Sequence, residues 1–219
     1  MATSVDICNL ALAMLGDEAS ITAINPPDGS DQAGHCSRWY PMALRKLAEE
    51  FDWSFSIRRI RLSKLKDIDH ELYGFKYAYA YPADCVRVIR LSEINRTENY
   101  WYCREQNRPS EKFLEYRVEF NPNNDAKMIV TDVDNAMLKY ISITDVPELF
   151  PQYFIDALVI LLAAYLVGPI KRADSASTMA QNLLQQYEMA LSRAKSLDAS
   201  HSQFGANERI PSNIKARWV

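Results

Sequence analysis

The residues able to do chemistry in this chain are carboxylates, cysteines, histidines and one short run of arginines. Two acid pairs, Glu49-Glu50 and Asp132/Asp134, have the composition of a general acid/base couple. Neighbouring acids on a helix do not share a face, and nothing in the spacing brings distant ones together, so solvated surface is the simpler expectation. Cys8, Cys36, Cys85 and Cys103 are widely spaced with no CxxC, which points to buried free thiols rather than zinc or a redox pair. His35, His70 and His201 are scattered, without a second ligand at metal-binding spacing. No GxSxG marks a nucleophile elbow, and 6 glycines leave neither GxGxxG nor a P-loop. No catalytic residue, metal or cofactor is therefore expected.

Two features could bind rather than react. Arg58, Arg59 and Arg61 put three guanidiniums within four residues, which repel unless acids or phosphates compensate them. They are read as lining a channel or an interface, with phosphates of passing duplex DNA as the sharper alternative to a solvated face. Phe75, Tyr77, Tyr79 and Tyr81 alternate with Lys76, Ala78 and Ala80. Such a ladder can stack single-stranded bases, but a net charge of −3 favours core packing or a protein interface.

These residues must be held by elements the pattern also predicts. The stretch FIDALVILLAAYLVGPI, 154–170, is apolar on every face and carries one charge, Asp156. Its uninterrupted apolar run of about 11 residues is short of the ~20 a membrane span needs, so it is expected to be a buried central helix. A first helix should run from a Ser4 cap to Leu15, with Gly16 at the left-handed position after it. Val5, Cys8, Leu12 and Leu15, with Ile7, Leu10, Ala11 and Met14 beside them, form a wide stripe for the central helix. After a turn-rich loop, 17–30, Ser30 or Asp31 should cap a second helix reaching about Asp52. Pro41 should kink that helix or mark its true start.

From Trp53 the texture becomes β. IRRIRLSKL has imperfect alternation, because Ile57 and Ile60 would face opposite ways, and a bulge or bend is expected. FKYAYAYP, CVRVIRLSEI, YWYCRE, FLEYRVEF, KMIVTD and MLKYISI are further strands, with Asn121–Asp125 as a hairpin turn. Helical texture returns after Pro147, breaks at Gly168-Pro169, and resumes from an Asp174 cap. Met179, Leu183, Tyr187, Ala190, Ala194 and Leu197 line the last helix.

The expected fold is α+β: a helical bundle around 154–170 built from 1–55 and 146–198, an antiparallel β-rich insertion at 56–145, and an extended C-terminal tail, 199–219. The tail is too polar to build a core, yet carries Ile210, Ile214, Arg217 and Trp218, residue types suited to anchoring on a partner. A composition of 48% hydrophobic and 24% charged residues fits a globular protein. The N-terminus has no basic stretch ahead of its apolar part, so cytoplasmic synthesis is expected.

The order of ICNLALAMLG (7–16), CSRWYPMALRKLAEEFDWSFS (36–56), KYAYAYPADCVRV (76–88), LKYI (138–141), FPQYFIDALVILLAAYL (150–166) and YEMALSRAKSLDA (187–199) resembles the tail tubular protein A family. These are the head-to-tail adaptors of short-tailed phages, and the likeness covers roughly 4–198. The resemblance implies a virion protein forming a ring, usually of twelve subunits, between the portal protein and the tail nozzle protein of the tubular protein B type. Duplex DNA would cross that ring during ejection without sequence-specific contact. The resemblance also implies a helical bundle with a β-rich insertion and no catalytic motif. Two other readings stand beside it: a tail-associated polysaccharide-degrading enzyme, and a cytoplasmic nucleic-acid-binding module.

Overall fold

The structure is a computed structural model, and it describes residues 2–18, 20–65, 73–93, 114–121, 126–143, 146–171 and 176–201. The fold is α+β, with four helices and two small antiparallel sheets among the described residues. Its centre is helix α3, Gln152–Ile170, two residues longer at its start than the apolar pattern implied. By length and composition α3 could cross a membrane. Here eleven of its residues, from Phe154 to Val167, are buried. They are covered by α1 (Ser4–Met14), α2 (Asp31–Glu49) and α4 (Ala176–His201). Each fully buried Leu, Ile or Val contributes roughly 1.5–3 kcal/mol, so this helix is the main apolar reservoir of the fold.

The helix ends correct the expectations in detail. Thr3, not Ser4, caps α1. Its hydroxyl accepts from the Asp6 amide while Asp6 accepts from the Thr3 amide, a reciprocal capping box that Ser4 cannot form. The buried stripe of α1 is narrower than expected: Ile7, Cys8, Ala11 and Leu12 are buried, but Leu10 and Met14 are exposed. Ser30 caps α2, and the helix ends at Glu49 rather than Asp52. Pro41 sits inside α2 without interrupting it. Gly168 and Pro169 likewise lie within the last turn of α3. On α4 the stripe runs through Leu183, Tyr187, Leu191 and Ala194, leaving Leu197 exposed. The Asp174 cap lies outside the described residues.

Among the described residues the β part comprises β1 (Ile57–Arg61), β2 (Tyr77–Ala80), β3 (Cys85–Glu93), β4 (Tyr116–Asn121), β5 (Ala126–Thr131) and β6 (Ala136–Ser142). One sheet has the order β1-β6-β3, the other β2-β5-β4, and every pairing is antiparallel. Tyr79, Ile129, Leu91, Leu138 and Tyr140 share one apolar cluster, so the two sheets pack face to face. The far side of the second sheet is covered by Phe75 and Leu65 over Ala78, Met128 and Val130. Phe75 therefore leaves the tyrosine ladder for the opposite face, because β2 begins only at Tyr77. The irregularity expected in β1 is absent there: β1 pairs in straight register with β6, and the register shifts fall in β3. β4 and β5 form the expected hairpin, closed by the Asn121–Ala126 pair. The YWYCRE strand and the hairpin turn at 122–125 lie outside the described residues.

An aromatic cluster marks the passage from helices to sheets. Trp53 is fully buried and donates its indole N–H to the Leu47 carbonyl at 2.8 Å. Phe51, Tyr153 and Phe154 surround it with ring centroids 5.2–6.3 Å away.

Candidate functional site

Strand alternation splits the arginine run between two faces of one sheet. Arg58 is paired with Tyr140, whose face meets the second sheet, whereas Arg59 and Arg61 are paired with Lys139 and Met137 on the outer face. Across β6, Lys139 is also opposite Arg90 of β3. The result is a row of three cations, Arg59–Lys139–Arg90, running across all three strands, with Arg61 two pairs further along on the same face. Like charges placed directly opposite are destabilising by roughly 0.2–1 kcal/mol per pair. Among the described residues, Arg59, Arg61 and Lys139 have no acidic partner. Arg59, Arg61 and Lys139 thus put positive charge on the outer face that no ion pair among the described residues offsets. What it can do chemically is hold phosphates or carboxylates.

Arg58 has a different task. It reaches Asp84 at 3.1 Å, and Asp84 also accepts from the hydroxyls of Tyr140 and Ser142. Burial acts to raise the Asp84 carboxyl, but the hydrogen bonds from Ser142 and Tyr140 and the charge of Arg58 outweigh it and hold it below the usual carboxylate range. Burial and the bond to Asp84 push the Tyr140 phenol up to about 12. This cluster locks the turn before β3 onto the end of β6, and is structural in character.

A second buried polar centre lies where the helices meet the sheets. Asp198 of α4 is 2% exposed. It accepts from the Ser54 amide at 2.9 Å, the Ser54 hydroxyl at 2.8 Å and the Tyr153 hydroxyl at 2.7 Å. Ser54 and Asp198 are 144 residues apart, so no local sequence signal could have found them.

The other chemically suggestive residues are dispersed. Glu49 pairs with Arg45 along α2, and Glu50 approaches Lys195 of α4. Asp132 accepts the Lys76 amide, and Asp134 pairs with Lys64. Each candidate acid is thus engaged by a separate neighbour. Cys8, Cys36 and Cys85 are free and buried. The bond that the Cys8 thiol makes to Cys36, together with burial, pushes the Cys8 thiol up, away from nucleophilic character. Cys103 and His70 lie outside the described residues. No group of three His, Cys, Asp or Glu gathers among the described residues. In the tyrosine ladder, Tyr79 is fully buried and donates to the Val133 carbonyl at 2.7 Å, so its ring packs in the core and is closed to bases. Ile210, Ile214, Arg217 and Trp218 also lie outside the described residues.

A groove of about 560 Å³ lies between α3 and α4, walled by Tyr153, Asp156 and Ile160 on one side and Met189, Arg193 and Leu197 on the other. It is mostly apolar, although Met189 is 67% exposed and Leu197 41%. The chain matches no protein-family model, and no curated protein matches its sequence.

Proposed function

We propose that this chain is a structural subunit of a short-tailed phage virion: the head-to-tail adaptor, assembled as a ring between portal and nozzle. The ring, of twelve copies in this reading, forms part of the channel through which duplex DNA leaves. The chain performs no turnover and uses no cofactor. It is made in the host cytoplasm and ends in the virion tail. The observation that carries the reading is the cationic group Arg59, Arg61 and Lys139, set on the outer face of a sheet in a chain of net charge −3. A short cationic strip on an acidic protein suits brief, sequence-independent contact with phosphates, or pairing with an acidic neighbour, better than stable DNA binding. The ordered likeness of residues 4–198 to tail tubular protein A supplies the assembly context. The residues Ile210, Ile214, Arg217 and Trp218 are assigned to contact with the portal or a neighbouring subunit.

Electron-microscope class averages of the purified protein, alone and mixed with portal, test this directly. Rings, or caps on the portal, are expected. Dispersed monomers under both conditions overturn it. The cationic row also favours a second reading, a nucleic-acid-binding module. Tight binding of duplex DNA by the isolated subunit, falling steeply between low and moderate salt, would select that reading instead.

A further inference from the structure

We infer that β4 is the docking edge for a second copy of this chain, two β4 strands pairing antiparallel about a two-fold axis at Val118 and joining two sheets into one. In the order β2-β5-β4, β4 lies at the edge and pairs with β5 on one side. The opposite edge is covered: the Leu65 N–H donates to the Ala78 carbonyl and the Ala80 N–H to the Ser63 carbonyl, so residues 63–65 run beside β2. Among the described residues, Tyr116 to Phe120 have no backbone partner besides β5. The register with β5 is straight, and YRVEFN contains neither proline nor lysine. Bulges, proline and lysine are the devices that guard an edge, whose free N–H and C=O groups otherwise pair with another strand. Apolar side chains are open there as well. Val118 is 43% exposed and Phe120 67%, on the face that carries Tyr116 and Ile129 into the cluster between the sheets.

The strand's own residues select the occupant. Alternate residues share a face, so a two-fold pair that keeps the faces matched must be centred on a residue. Centred on Val118, Arg117 stands opposite Glu119 of the copy, twice, and Tyr116 stands opposite Phe120. Opposite charges and aromatic pairs across strands are both stabilising. One residue to either side the match is lost. Centring on Arg117 sets Arg117 against itself and Glu115 against Glu119, and centring on Glu119 sets Glu119 against itself. The charges are available for this contact. Among the described residues Glu119 has no cation within ion-pair distance, and Arg117 reaches one acid, the exposed Glu115, at 4.0 Å.

This pairing stands on β4 and not on the adaptor reading. A ring closed by one rotation axis is built from heterologous contacts, so the two-fold contact is separate from those that would close it.

Sedimentation velocity of the full chain over about 1–200 µM tests it, because so small a contact should hold with a roughly micromolar Kd. The wild type should pass from monomer to dimer as concentration rises. Arg117→Glu and Glu119→Arg each set like charges opposite one another twice per dimer, and each should weaken it at least about tenfold. The R117E/E119R double variant should restore the dimer. An equimolar mixture of the two single variants should form heterodimers, since every facing charge pair is then opposite in sign. Mixing also separates a lost contact from a misfolded variant. A wild type that stays monomeric throughout overturns the inference. So does association of any size that the single variants leave unchanged, or a mixture and a double variant that both fail to restore it.

Discussion

Replacing Asp198 with Ala should destabilise the protein by about 3 kcal/mol, because three charge-assisted hydrogen bonds converge on this buried carboxylate. Each such bond is worth roughly 1.5–3 kcal/mol, and the Ser54 N–H loses its carboxylate acceptor, at a cost of about 1–3 kcal/mol. Removing the carboxylate also relieves its own desolvation, which offsets several kcal/mol of that total. The remainder should lower Tm by roughly 6–12 °C in a chain of this size. Urea melts of the wild type, Asp198→Ala, Tyr153→Phe and the double variant measure both the loss and the coupling. Tyr153→Phe alone should cost about 1 kcal/mol, and the double variant should lose less than the sum. A single loss under about 0.5 kcal/mol for Asp198→Ala would show that the network is solvated in solution and that the aromatic cluster alone holds the junction.

Leu161 is fully buried at the centre of α3. Leu161→Ala should cost about 2–5 kcal/mol by denaturant melt, and Leu161→Asp should yield no soluble, cooperatively melting protein. Changing Arg59, Arg61 and Lys139 together to Gln should leave Tm of the subunit unchanged or slightly raised, since like-charge repulsion is removed, while ring assembly or DNA ejection is impaired. A drop of several degrees would mean that these cations pair internally. Arg58→Gln should lose under about 1 kcal/mol, because its pair with Asp84 is half exposed. The Asp84 carboxyl is held below its unfolded value, so its contribution is present above about pH 4 and is lost as pH falls through the folded value. Asp84→Asn should therefore flatten the acid limb of the stability curve, and an unchanged limb would remove Asp84 from the account.

The α+β arrangement was legible because its signals are local. The all-round apolar run of α3 admits few other readings, and Gly16 does occupy the left-handed region, at φ 67°. Thr3 against Ser4 could not be decided by residue type, since both cap helices; the carboxylate of Asp6, three positions after Thr3, settles it. The arginines show the limit more clearly. Their sequence proximity suggested one cluster, but a strand turns Arg58 inward to Asp84 and leaves Arg59 and Arg61 outside. Lys139 and Arg90 join that row only through register, which no stretch of sequence contains. Ser54, Tyr153 and Asp198 were invisible for the same reason. Leu197 was assigned to the buried stripe because steps of three and four fit it; a straight helix drifts from that repeat, so Leu191 replaces Ala190 in the core and the buried Asp198 stands where Leu197 was expected.

The β part leaves and rejoins the helices through a narrow neck. Ile57 and Ile141 are paired neighbours at the first and nearly last positions of the two strands, and the Ser56 hydroxyl donates to the Ser142 carbonyl, 86 residues away. Two chain ends are thus held side by side before any of the intervening strands is counted. Bringing such distant points together costs about 4 kcal/mol of chain entropy, and the pairing of β1 with β6 recovers it at the neck itself. Beyond the neck, doubling the length of a connecting loop adds only about 0.6 kcal/mol. Besides this neck the helices meet the β part at β3, whose Arg87 pairs with Asp52 just after α2. The outer reaches of the sandwich are therefore free to lengthen, shorten or change charge, and a short turn joining residue 56 to residue 143 should leave the cover of α3 closed.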